Sequence, residues 1–268
     1  MKQPGVAVAP RSPSTLRSVA VPNEHGGWGL TGEPVLLGLL IAPSIAGVLL
    51  GLAAVGAFLL RQPLRVVLVD HHRGRDLART QLARTVVLVE GAILVVLAAG
   101  ATLLAGTRLW WPALAATPLV ALELWFDRRS RSHRLAPELA GAVGVSAAAA
   151  MIMIAGAHAS TEAAAAWLIL GARVTTAIPH VRAQIARLHE RPTSDRTLVA
   201  ADLLAVVLAA AATVADRAFA AGAVAVVAVI AVQRFTADQR VAPKVLGIRQ
   251  SVMGLSVVIA TALGFHLA

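Results

Sequence analysis

Residues 61–111 read RQPLRVVLVDHHRGRDLARTQLARTVVLVEGAILVVLAAGATLLAGTRLWW, an apolar run with five arginines ahead of it, a sixth, Arg84, in its first turn and one, Arg108, behind it. A helix crossing ~30 Å of hydrocarbon takes ~20 residues at 1.5 Å each, and the run from 82 to 105 meets that length. Cytoplasmic loops of membrane proteins carry the Lys/Arg excess, so the two flanks of this run lie on opposite sides of a membrane. The asymmetry persists along the chain: of its 24 Lys and Arg residues, all but Arg108 and Arg217 fall in the N-terminal tail, in alternate gaps between apolar runs or in the helix ends that flank those gaps. The same ruler cuts spans near 30–45, 47–69, 82–105, 109–126, 137–156, 163–181, 197–214, 218–233 and 247–267. A single helix from Glu33 to Val69 would be roughly 55 Å long, so Pro43-Ser44 marks a turn between the first two. The chain therefore reads as an all-α, polytopic membrane bundle of about nine spans, N-terminus cytoplasmic and C-terminus outside. Residues 1–29 form a flexible cytoplasmic tail and residues 30–268 a single transmembrane domain.

Composition agrees. At 57% apolar, 14% charged and a mean hydropathy of +0.74, the chain has more apolar surface than a soluble core can use, and the surplus faces lipid. A pI near 11.7 raises nucleic acid as a partner, but the basic residues sit in short loops between spans and form no continuous footprint. The absence of cysteine excludes disulfides, thiolate metal sites and cysteine nucleophiles. The first 29 residues hold no apolar stretch of the kind a cleaved signal peptide requires, so the first span is its own insertion signal and the expected location is the plasma membrane. Ala-rich tracts at 147–150 and 209–212 suit close helix approach. No phosphate-binding loop, dinucleotide fingerprint, zinc-protease motif or nucleophile elbow is present, and no internal repeat is legible.

Most loop arginines need no role beyond topology. Ionisable groups within spans are more informative, because each costs ~2.5–3.5 kcal/mol on insertion scales unless it pairs or meets water. On the second span Arg61 and Arg65 are four residues apart and His72 follows seven later, all near one helix face, with Pro63 between them and Asp70, His71 and Arg73 at the exit. On the sixth, Arg173, His180, Gln184 and Arg187 recur at seven, four and three, with Pro179 alongside and Arg182 nearby. Two readings compete: a cytoplasm-facing cavity for an anionic headgroup, or snorkelling arginines paired with Glu90, Glu123 or Asp202. His71-His72 with Asp70 and Asp76 makes a poor metal site, since adjacent histidines diverge on a helix. Glu33 lies too deep for an interface anchor and calls for a basic partner inside the bundle.

The stretch PNEHGGWGLTGEPVLLGLLIAPS, containing His25 and Glu33, resembles the opening signature of the YwiC-like family of bacterial membrane proteins, with Gly27 in place of the usual alanine. The resemblance extends through RQPLRVVLVDHHRGRDLARTQLART and PHVRAQIARLHERPTSDRT, and it implies membership without implying an activity. A more distant resemblance is architectural: the layout looks like the UbiA-type intramembrane prenyltransferases, which have nine helices and Asp-rich motifs in the loops after helices two and six. That resemblance implies a prenyl diphosphate ligand and Mg²⁺, with Asp70 as the one position to hold it. The expected Asp-rich stretch is replaced by Val69-Asp70-His71-His72-Arg73-Gly74-Arg75-Asp76, and arginines repel Mg²⁺.

The expectation is thus an intramembrane site for an amphiphile with an anionic headgroup. Arg61, Arg65, Arg73, Arg173, Arg182 and Arg187 are its candidate ligands, with His25, Glu33, Asp70 and Gln184 beside them. His72 and His180 are its candidate proton carriers. Whether the chain is an enzyme stays open at this stage, and a small-anion permease or a non-catalytic membrane scaffold is the alternative.

Overall fold

Pro43 and Ser44 divide the first apolar stretch as the length argument requires. In the computed structural model, which describes residues 25–129 and 134–268, α1 (His25–Ile41) ends before them and α2 (Ile45–His72) starts after them. The Ser44 hydroxyl accepts from the Gly47 N–H at 3.0 Å and caps α2. Then follow α3 (Ala78–Ala105), α4 (Trp111–Arg128), α5 (Leu135–Ala155), α6 (Ser160–Leu188), α7 (Asp195–Ala215), α8 (Ala220–Phe235) and α9 (Pro243–Leu267). One-turn 3₁₀ segments, Thr107–Trp110 and Arg217–Phe219, precede α4 and α8. The described residues contain no strand.

Among the described residues, eight of the nine helices are long and apolar enough to cross a membrane, and α1 is the exception, with an apolar stretch of Trp28–Ile41. It is nonetheless inside the bundle: Leu37 and Ile41 are buried, and α1 packs on α5 and α9. It begins at His25, ahead of the expected boundary at residue 30. Glycine's low helix propensity hides this start in the sequence, and an edge-to-face contact of Trp28 with Phe58 of α2, centroids 5.1 Å apart, supports it. Several other helices run past their expected ends on the arginine-rich side, because long basic side chains snorkel to water while the backbone stays helical.

Without a hydrophobic force between helices in lipid, close packing and polar contacts hold them together. Small residues supply the first. Ala149 and Ala150 of α5, Ala163 and Ala166 of α6, and Ala205, Ala209 and Ala212 of α7 are all buried, which makes α5 to α7 a close-set layer. In contrast, α3 packs mainly on α2 and presents Leu88, Val95, Val96 and Leu103 outward.

The order of elements repeats. Helices α1 to α4 and α5 to α8 follow one plan: a helix, a long helix with a proline nine residues before its end (Pro63, Pro179), a left-handed residue just beyond that end (Gly74, Glu190), a third helix, a 3₁₀ turn and a shorter fourth helix. The packing repeats with it, α2 on α3 matching α6 on α7, and α9 meets α8 and its 3₁₀ turn as α5 meets α4 and its own. The sequence shows no such repeat because lipid-facing positions accept any apolar residue, so the two halves repeat an order of elements with little shared identity.

Candidate functional site

Polar side chains of α6 form one inward stripe, as their spacing predicts, and the neighbouring helices answer each of them. Arg173, deepest in the bundle and 1% exposed, donates from Nη2 to the Gln250 carbonyl of α9 at 2.7 Å and lies 3.7 Å from Glu33 Oε1 of α1. Glu33 thus has its basic partner. Gly254 of α9 makes room for it, since a Cβ there would overlap the carboxylate. Arg173 Nε and Nη1 and Glu33 Oε2 have no further partner among the described residues.

One turn up the stripe, Asp202 of α7 gathers three helices. Its carboxylate accepts from the Thr176 hydroxyl at 2.6 Å and from Arg234 of α8 at 2.7 Å, and it lies 3.1 Å from His180 Nε2. Thr176 also lies 2.9 Å from the Gln233 side-chain oxygen. One hydroxyl proton cannot serve two acceptors at once, so Asp202, the nearer and charged one, is its main acceptor, while the Gln233 NH₂ faces the Gln250 side-chain oxygen at 3.4 Å. His180 is 2% exposed and held in this cluster between α6 and α7.

At the arginine-rich end the stripe opens. Gln184 donates to the Thr236 carbonyl at 3.0 Å and Arg187 to the Ala237 carbonyl at 2.8 Å, tying α6 to the end of α8. Beside them lies a cavity of about 490 Å³ lined by Gln184, Arg187, Glu190, Arg191 and the segment Ala237–Arg240. Gln184 Oε1 is buried without a partner among the described residues. Arg187 keeps only long pairings, 3.8 Å to Asp195 and 3.9 Å to Asp238, against ~2.7–2.9 Å for a charge-assisted hydrogen bond. Its charge is therefore incompletely matched. Glu190 holds a left-handed backbone with φ of 54°, a strained choice for a residue with a side chain, at the rim of this cavity.

The α2 residues belong to a different cluster. Arg61 pairs with Glu123 of α4 at 2.8 Å and reaches Asp127 at 3.4 Å, so pairing with Glu123, the less adventurous reading, holds here. Gly141 of α5 leaves space for the Glu123 carboxylate. Arg65 is half-buried and makes no hydrogen bond or ion pair among the described residues. Asp70 is buried, and its two oxygens accept from Arg79 at 2.8 and 3.2 Å and from Thr80 at 2.7 Å. That donor set does not fit Mg²⁺: both carboxylate oxygens already face a cation or a hydroxyl, and no cluster of three His, Cys, Asp or Glu at ligand spacing exists among the described residues. His72 and Arg73 are exposed at the end of α2, and Arg182 pairs with Glu138 of α5 at 2.8 Å. His25 opens α1, but its side chain lies outside the described residues.

The candidate residues are therefore not one site. Gln184 and Arg187 share a cavity, joined by Arg191 and Arg240, which the sequence offers only as two more loop arginines. Asp202, the hub of the interior cluster, carries one sequence signal: it is the sole ionisable residue in the apolar run 197–214.

A multi-pass, all-helical membrane protein built on an internal repeat, with a polar seam leading from a basic cavity toward the bundle centre, is the class these features define. Within it, residues 21–153 match the family model described as YwiC-like protein, and over that stretch, about half of the chain, the protein belongs to the YwiC-like family. The match covers α1 to nearly the end of α5 and stops before the α6 stripe. No curated protein and no solved structure matches the chain.

Proposed function

We propose that the protein binds an amphiphile with an anionic headgroup at the α6 and α8–α9 cavity, on the cytoplasmic side of the membrane, a prenyl diphosphate being the ligand class that fits best. The observation that carries this reading is the meeting of Arg187, Arg191 and Arg240 with the unpartnered Gln184 Oε1 in one cavity of about 490 Å³ at the end of a membrane helix. Guanidinium groups suit phosphate oxygens. Phe235, 88% exposed and two residues ahead of the cavity wall, offers a lipid-facing path for the tail. Binding of this kind rests on arginines and not on a carboxylate-held metal.

The test is thermal unfolding of detergent-purified protein titrated with geranylgeranyl diphosphate, with and without Mg²⁺, against inorganic diphosphate and a prenyl alcohol. A saturable, Mg²⁺-independent shift that needs both tail and diphosphate, and that is lost in Arg187→Gln and Arg240→Gln, is the expected result. No shift with any of the three ligands rules the reading out. A second reading, a small-anion permease, is favoured by the two-fold repeat, a plan common among transporters. It requires anion flux in proteoliposomes above that of empty vesicles.

A further inference from the structure

One position is treated differently by the two halves of the bundle. In the second half Asp202 of α7 faces the turn of α6 just before Pro179 and is met there by Thr176, His180 and Arg234. In the first half α3 packs antiparallel on α2, with Asp70 bonded to Thr80 and Gly56 facing Leu94. That register sets Glu90 opposite Leu60, three residues before Pro63, as Thr176 stands three residues before Pro179. Counted from the proline, the residues equivalent to Thr176 and His180 are Leu60 and Leu64, so neither position offers the acid of the first half a polar side chain.

Among the described residues Glu90 has no ion pair, and its buried Oε2 has no hydrogen-bond partner. It lies roughly 18 Å along α3 from Ala78, well within the span, between lipid-facing Leu88, Val89 and Ile93. No charged group at this depth serves it. On α2, Arg61 is engaged by Glu123 and Asp127, and Arg65 lies more than a turn nearer the arginine-rich end and makes no pair with it. On α3 itself Arg84 pairs with Asp76, and the Arg108 of the 3₁₀ turn lies at the far end, while α5 brings no charge beyond Glu138 at its start. The facing turn of α2 does supply an acceptor: Pro63 has no N–H, which leaves the Leu59 carbonyl without its helical donor.

We propose that Glu90 is a proton-binding carboxyl inside the hydrocarbon layer, held as the neutral acid against the Pro63 turn of α2 and reachable from lipid. The ligand is a proton, and the neutral carboxyl's O–H donates to the carbonyl that Pro63 frees. Carboxyls placed in this way are the groups through which membrane proteins couple to protons. The site is separate from the headgroup cavity and does not depend on it.

Dicyclohexylcarbodiimide, which partitions into lipid and reacts with protonated carboxyls, tests this in membranes carrying the full chain. The acid proton passes to a carbodiimide nitrogen, the carboxylate oxygen adds to the central carbon, and an acyl shift leaves a stable N-acylurea, with no other reactant needed. Peptide mass spectrometry of the wild type should find the adduct on Glu90, its loss in Glu90→Gln, and none on Glu90 with a water-soluble carbodiimide. No adduct on Glu90 overturns the proposal. An adduct formed equally by the water-soluble reagent also overturns it, because the carboxyl would then face water. Since the site is assigned on the wild-type protein, a Glu90→Gln variant that failed to fold would leave both outcomes readable.

Discussion

Replacing Asp202 by alanine removes the carboxylate on which α6, α7 and α8 converge. Asp202 accepts from Thr176 at 2.6 Å and from Arg234 at 2.7 Å and contacts His180 at 3.1 Å. Polar groups of helices separated within a membrane find other partners, so each interhelical hydrogen bond contributes about 0.6 kcal/mol on average and at most ~1.7. The Thr176 and His180 contacts together then amount to roughly 1–3 kcal/mol. Arg234 is 37% exposed along its side chain, so water screens its pairing, and it adds ~0.5–1 kcal/mol where a fully buried pair would lose ~3–5. Asp202→Ala should therefore destabilise the protein by about 2–4 kcal/mol, and Asp202→Asn, which keeps an oxygen for Thr176, by about half as much. The assay is denaturant unfolding in mixed micelles followed by tryptophan fluorescence, using the chain's 5 tryptophans. A double-mutant cycle with Thr176→Val isolates the shared bond: Thr176→Val should cost clearly less in the Asp202→Ala background, where only its contact with Gln233 is left to lose, than in the wild type. An Asp202→Ala protein as stable as the wild type, or strict additivity of the two substitutions, would refute the hub.

Three further outcomes follow from the packing. Gly254→Ala puts a Cβ into the Glu33 carboxylate and should destabilise by ~1–3 kcal/mol, but much less in a Glu33→Ala background; equal losses in both would show that α1 and α9 do not meet at this point. Arg61→Gln leaves Glu123 and Asp127 without their cation and should lose ~2–4 kcal/mol, part of it regained by adding Glu123→Gln, and no recovery in the same unfolding assay would contradict the pairing. Because the chain has no cysteine, Thr107→Cys and Arg75→Cys report orientation: an impermeant maleimide should label the first in intact cells and the second only after lysis, and the opposite pattern would invert the topology.

Length, hydropathy and charge were enough to read the all-helical membrane class, to divide the first apolar stretch at Pro43-Ser44 and to place a polar stripe on one face of α6. These are local properties, set by a 3.6-residue period, by the thickness of the bilayer and by the cost of charge within it. The need of Glu33 for a basic partner was legible for the same reason. The partner's identity was not, since Arg173 lies 140 residues away and the rotation of each helix about its axis leaves no trace in hydropathy. Tertiary structure alone decided that the arginines of α2 and α6 serve different clusters, that Asp202 ties three helices together, and that Asp70 is engaged by Arg79 and Thr80. It alone brought Arg191 and Arg240 to the cavity of Gln184 and Arg187, and it alone exposed the two-fold repeat. In a membrane, apolar residues exchange freely wherever they face lipid, so the chain specifies where helices run far more openly than which faces they turn to one another.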